Sequence, residues 1–140
     1  MNQEHIDGIK KALEHSGGTH SLQHVVDRLE SGDAQYWEEG SAAIITELRE
    51  TPNMRVLHFW LATGDLEDVI RLSERIIEWG GYVGCQRATL AGRKGWEKVL
   101  ARNGWSPELV LMGRDISNGQ GINSDDYADT GIRPGQPTIR

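Results

Sequence analysis

One segment constrains the fold more than any other. Arg55-Val56-Leu57-His58-Phe59-Trp60-Leu61 is apolar on both alternating faces. Strands with that pattern are central and covered on both sides. Thr63-Gly64-Asp65 breaks the strand, and Asp65 can cap a helix in which Leu66, Val69, Ile70, Ser73, Ile76 and Ile77 form one stripe. A buried strand that feeds an amphipathic helix requires a layered α/β fold, with a sheet packed between helices.

The rest of the chain agrees with that frame. Ile6, Ile9 and Leu13 predict a helix over 4–15, stopped by Gly17-Gly18. Thr19 or Ser21 can cap a second helix carrying Leu22, Val25, Val26 and Leu29, which Gly32 ends. Residues 34–37 and 42–48 read as two strands around a Glu39-Gly40 turn, and Thr51-Pro52-Asn53 turns the chain into the central strand. After the third helix, which ends at Trp79 before Gly80-Gly81, the pattern predicts a strand over 83–91. A short helix over about 94–102 and a last strand over 109–112 follow. The order is α-α-β-β-β-α-β-α-β, a mixed sheet flanked by helices.

Composition narrows the partners. With 15 basic and 21 acidic residues the net charge is −6, so the chain lacks the clustered cations that direct nucleic-acid binding needs. No apolar run approaches bilayer length and no signal peptide is visible, so a cytoplasmic protein without membrane insertion is expected. Cys85 is the one cysteine; it excludes an internal disulfide and a cysteine-based zinc site. From Gly113 the chain carries five Gly, two Pro and four Asp in 28 residues. This divides it into a domain over 1–112 and an extended or disordered arm over 113–140. Ile116, Ile122, Tyr127, Ile132 and Ile139 are spaced along the arm as anchors for a partner.

Over residues 4–112 the element order resembles the GNAT acyltransferase fold. Arg102-Asn103-Gly104-Trp105 is similar to the Lys/Arg-x-Gly-Phe signature of that family's last helix. The 55–65 segment, with Gly92-Arg93-Lys94-Gly95-Trp96, resembles short GNAT-like proteins encoded in phages and prophages, some of them carried in the virion. The resemblance implies acetyl-CoA as cofactor, held near Thr63 and Gly64 and approached by Arg93 and Lys94. It also implies a general base from the strands that border the acceptor cleft, with Glu47 and His58 as candidates.

The chain departs from the family in two places. GNAT enzymes hold the CoA diphosphate on a glycine-rich helix start, whereas Asp65, Glu67 and Asp68 crowd this one with carboxylates. The family's tyrosine acid falls at Leu100. These departures favour a non-catalytic structural or interaction protein without cofactor. It would be virion-associated or in the host cytoplasm, and its arm would contact phage structural proteins or a second copy. The alternative is an acetyl-CoA-dependent N-acetyltransferase with a divergent cofactor loop.

Other features have plainer readings. His20 and His24, with His15 nearby, could face a metal together, but a solvated helix face explains them. Cys85 reads as a small apolar core residue without a basic neighbour to activate it. Five tryptophans, at 37, 60, 79, 96 and 105, suit both core and interface.

Overall fold

The computed structural model describes residues 1–92 and 95–116. Helices α1 (Gln3–His15) and α2 (Leu22–Glu30) precede an antiparallel meander of β1 (Gln35–Glu39), β2 (Ala42–Glu50) and β3 (Arg55–Thr63). Helix α3 (Leu66–Tyr82) crosses over to β4 (Cys85–Leu90), which pairs parallel to β3 at the sheet edge. Helix α4 (Trp96–Ala101) follows. The chain divides into two compact units, Met1–Pro107 and Glu108–Arg140.

The sheet carries a core on each face. Helices α1 and α2 cover one face with Ile9, Leu13 and Val25 against Ala43, Ile45 and Leu61. Helix α3 covers the other with Val69, Leu72 and Ile76 against Ala42, Ile44, Leu57 and Phe59. Alternate residues of β2 therefore enter opposite cores, as the period-two pleat requires. Ile44 and Ile45 are both fully buried, and each contributes about 1.5–3 kcal/mol of apolar transfer.

Helix ends follow local chemistry. The Asn2 side chain accepts the His5 N–H at 2.8 Å. Ser21 caps α2, and His24 takes the place of the usual Glu or Gln in the capping box: its Nδ1 accepts the Ser21 N–H at 2.9 Å. Buried His5 ties α1 to the first hairpin, with Nδ1 3.1 Å from Glu38 Oε2 and Nε2 3.1 Å from the Gly40 carbonyl. Tyr36 donates to the same Glu38 oxygen at 2.8 Å, and burial followed by that bond pushes its phenol well above the ordinary range.

Two expectations are corrected. Helix α3 does not stop at Trp79; it runs through Gly80 and Gly81 to Tyr82. Gly80 is buried, and a Cβ there would lie 2.8 Å from the Leu57 side chain, so this glycine serves close helix–sheet packing. Residues 109–112 form no strand. Leu109, Val110, Leu111 and Met112 are 87–93% exposed, and without a ladder partner an apolar β-prone run has nothing to make it a strand. Among the described residues, no helix is long and apolar enough to cross a membrane.

Candidate functional site

The sheet is irregular at one place. Ile45 of β2 pairs with Leu61, while the next residue, Thr46, pairs with Phe59. Trp60 is therefore an extra residue, a β-bulge in β3. Its consequence is visible in the cores. Phe59 packs under α3, whereas Trp60 and Leu61 both turn to the α1/α2 face. The pairing of β3 with β4 also ends here, at Phe59 and Leu90. Strand β3 runs on to Thr63 with β2 alone beside it. Strand β4 itself ends at Leu90, so on this edge the backbone groups of residues 60–63 have no strand beside them.

Next to this edge, on the α1/α2 face, the structure brings Glu47 and His58 together. They are direct cross-strand partners of β2 and β3, so their side chains share one face. His58 Nδ1 lies 2.8 Å from Thr89 Oγ1 of β4. His58 is half-buried, and that burial, helped by the Arg49 charge and opposed by Glu47, pushes its imidazole below the ordinary value of 6.5. Burial disfavours the imidazolium, so the ring is neutral near pH 7. With Thr89 on Nδ1, Nε2 is the nitrogen left to meet a substrate.

Glu47 is placed differently. Its Oε2 pairs with Arg28 of α2 at 2.6 Å and its Oε1 with Arg49 at 3.2 Å. Each carboxylate oxygen thus holds a guanidinium, and the residue reads as an anchor for two arginines rather than as a base. Arg28 also lies over the Trp60 ring, 5.9 Å from its centroid, and His20 meets the same ring edge-on at 5.1 Å. No local pattern in the sequence singles out Arg28, Thr89 or the bulge at Trp60. The run Phe59-Trp60-Leu61, three large apolar residues where a pleat alternates, is the one trace of the bulge that sequence carries.

The mouth of α3 is built otherwise. Ser41, after the first hairpin, donates to Asp68 Oδ2 through its N–H at 3.0 Å and its hydroxyl at 2.7 Å. Its Oγ accepts the Asp65 N–H at 2.9 Å. The Ser41 bonds hold the Asp68 carboxyl below its usual range, aided by Arg71. Asp65 is the N-cap residue, yet its side chain makes no capping bond. Gly64 sits at φ +122°, and a Cβ there would lie 2.6 Å from Ala42 Cα and from the Ser41 carbonyl oxygen. That glycine is demanded by the fold. Thr63 points under α1, where its side chain fills the space that a Cβ on Gly8 would occupy.

A diphosphate does not fit at this mouth. The Asp65 N–H is already used, and Asp65, Glu67 and Asp68 surround the remaining donors with negative charge. The edge of β3 beyond Phe59 does suit an extended amide-bearing chain such as pantetheine, because residues 60–63 have peptide groups without a β4 partner.

The remaining candidates separate. Arg93, Lys94, Ile122, Tyr127, Ile132 and Ile139 lie outside the described residues, and Ile116 is exposed. Leu100, at the family's tyrosine position, is buried in α4. Cys85 is only partly buried on the edge strand rather than deep in the core, and burial raises its thiol. His24 caps α2 and His20 packs on Trp60, so they do not act as a ligand pair; among the described residues no group of three or more His, Cys, Asp or Glu could hold a metal ion.

No protein-family model matches the chain. No curated protein matches it either. Solved structures do. Glucosamine-6-phosphate N-acetyltransferase from Arabidopsis thaliana superposes with a TM-score of 0.57 at 15% identity, over 79% of this chain and 90% of that one. The aminoglycoside N-acetyltransferase AAC(6')-Iy, in complex with CoA, gives 0.57 at 14% identity over 82% and 91%. An acetyltransferase from Trypanosoma brucei gives 0.54 at 12% identity over 83% and 96%. The fold is that of the GNAT acetyltransferases.

Proposed function

We propose that this chain is an acyl-CoA-dependent N-acyltransferase that grips its donor by the pantetheine arm along β3 rather than by the diphosphate at α3. The observation that carries the reading is the bulge at Trp60, which coincides with the last β3–β4 pair, next to His58, and beyond which the β3 edge has no strand beside it. The likeness to acetyltransferases of known structure supports it. Acetyl-CoA, when bound, supplies an acyl thioester. The chain's own part is to bind, orient and move one proton. Peptide groups of residues 60–63 hold the arm. Trp60 flanks that edge on the α1/α2 face. His58, neutral and fixed through Thr89, takes the acceptor amine's proton at Nε2.

The test is release of CoA thiol from acetyl-CoA in the presence of a panel of primary amines. Amine-dependent release is expected. Release that ignores the amine, or none with any of them, contradicts the reading. A second reading has one observation behind it: the three carboxylates at the α3 mouth suit a chain that has kept the fold without the cofactor. In that reading the chain is an interaction component, of a virion or another assembly, and the same assay shows no thiol release.

A further inference from the structure

We propose that the acceptor of this site carries an oxyanion, a phosphate or carboxylate, close to its amine, and that Arg28 and Arg49 bind it. The proposal rests on the acyltransferase reading for the word acceptor, and on the geometry of the α1/α2 face for the rest. Arg28, Arg49 and Glu47 together carry one net positive charge beside His58. Each guanidinium has five N–H donors in a planar fork, and each meets Glu47 through NH2 alone. Arg28 Nε is buried and has no hydrogen-bond partner among the described residues. A buried donor of that kind is costly unless something accepts from it.

Trp60 supports the fork. Its ring lies against Arg28 on one side and His20 on another, so the bulge that turns Trp60 to this face also orients the guanidinium. A planar cation held this way suits bidentate binding of phosphate or carboxylate. A polycationic amine would instead meet two guanidiniums of its own sign.

The test is a nuclear magnetic resonance titration of the full chain with O-phosphoethanolamine, ethanolamine and spermidine, following the Trp60 indole N–H and the Arg28 Nε–H. We expect O-phosphoethanolamine to shift both signals and to bind about tenfold or more tightly than ethanolamine, the margin of one charge-assisted hydrogen bond. Arg49→Gln, at a half-exposed position, should keep the fold and remove most of that margin; Arg28→Met should remove it too. Glycine against methylamine repeats the comparison for a carboxylate. Equal binding of all amines, a preference for spermidine, or no shift at millimolar ligand overturns the proposal. Anionic-amine binding without thiol release keeps the anion site and removes the transfer reading. Thiol release that favours ethanolamine keeps transfer and removes the anion site.

Discussion

Gly64→Ala should unfold this protein well below the melting temperature of the parent. The residue stands at φ +122°, a region that side chains with a Cβ rarely enter. Holding a non-glycine residue there costs about 1–3 kcal/mol. The added Cβ would also meet two backbone atoms, Ala42 Cα and the Ser41 carbonyl oxygen, each at 2.6 Å. Backbone in a fully buried strand cannot yield as a side-chain tip can, and overpacking adds about 1–3 kcal/mol. The sum is about 2–6 kcal/mol, a large part of the roughly 5–15 kcal/mol that a domain has. At this size about 2–4 °C is lost per kcal/mol, so thermal unfolding followed by circular dichroism should show a drop of about 5–20 °C. Gly81→Ala is the control. It lies inside α3 with nothing within 4 Å of a Cβ, so alanine should match or raise stability by up to about 1 kcal/mol. Equal melting temperatures for Gly64→Ala and the parent would contradict the description of the α3 entry. The result also bears on function: loss of coenzyme binding at Gly64 would report unfolding, not a lost contact.

His58→Gln should lower kcat by about 10²–10⁴-fold while the protein stays folded, because a positioned general base contributes about that much. The side chain is half-buried and hydrogen-bonds Thr89, a bond that glutamine can replace in kind. The pH profile carries the sharper signature. Burial lowers the folded imidazole's pKa from 6.5, so the parent's rate should fall as pH drops through that lowered value, and the variant should lose the limb. Stability moves in the same direction. Between the lowered folded pKa and 6.5 the unfolded chain binds more protons, so this contribution is full above pH 6.5 and is lost as pH falls through the window. A variant with the parent's rate, or with an unchanged acid limb, would show that His58 is not the base.

Much of the fold is readable in the residues themselves. The apolar strand over 55–61, the Ser21 cap, the Glu39-Gly40 turn and the stripe from Leu66 to Ile77 each announce an element through local chemistry. The failures share a cause. Gly80 looks like a helix stop until Leu57 is seen packed against it from a strand more than twenty residues earlier. Residues 109–112 look like a strand because propensity speaks for side chains and is silent on the partner strand. The site divides the same way. Glu47 and His58 suggest themselves by type, but only the register of the hairpin sets them opposite each other. The bulge at Trp60 shifts that register by one residue without a glycine or proline to mark it. Arg28 reaches Glu47 from another element altogether, which no local pattern reveals.

The most direct measurement is a calorimetric titration of the full chain with acetyl-CoA and, separately, with S-acetylpantetheine, which lacks the diphosphate. Thermal unfolding of the same samples gives an independent reading, since ligand at 100 times its Kd adds about 2.7 kcal/mol. With the arm gripped along β3 and the α3 mouth closed to phosphate, both compounds should bind, with affinities within about tenfold of each other, or about 1.4 kcal/mol. No heat and no thermal shift with either compound at millimolar concentration would contradict the account. So would tight binding of acetyl-CoA with none of S-acetylpantetheine, since that would place the grip on the diphosphate.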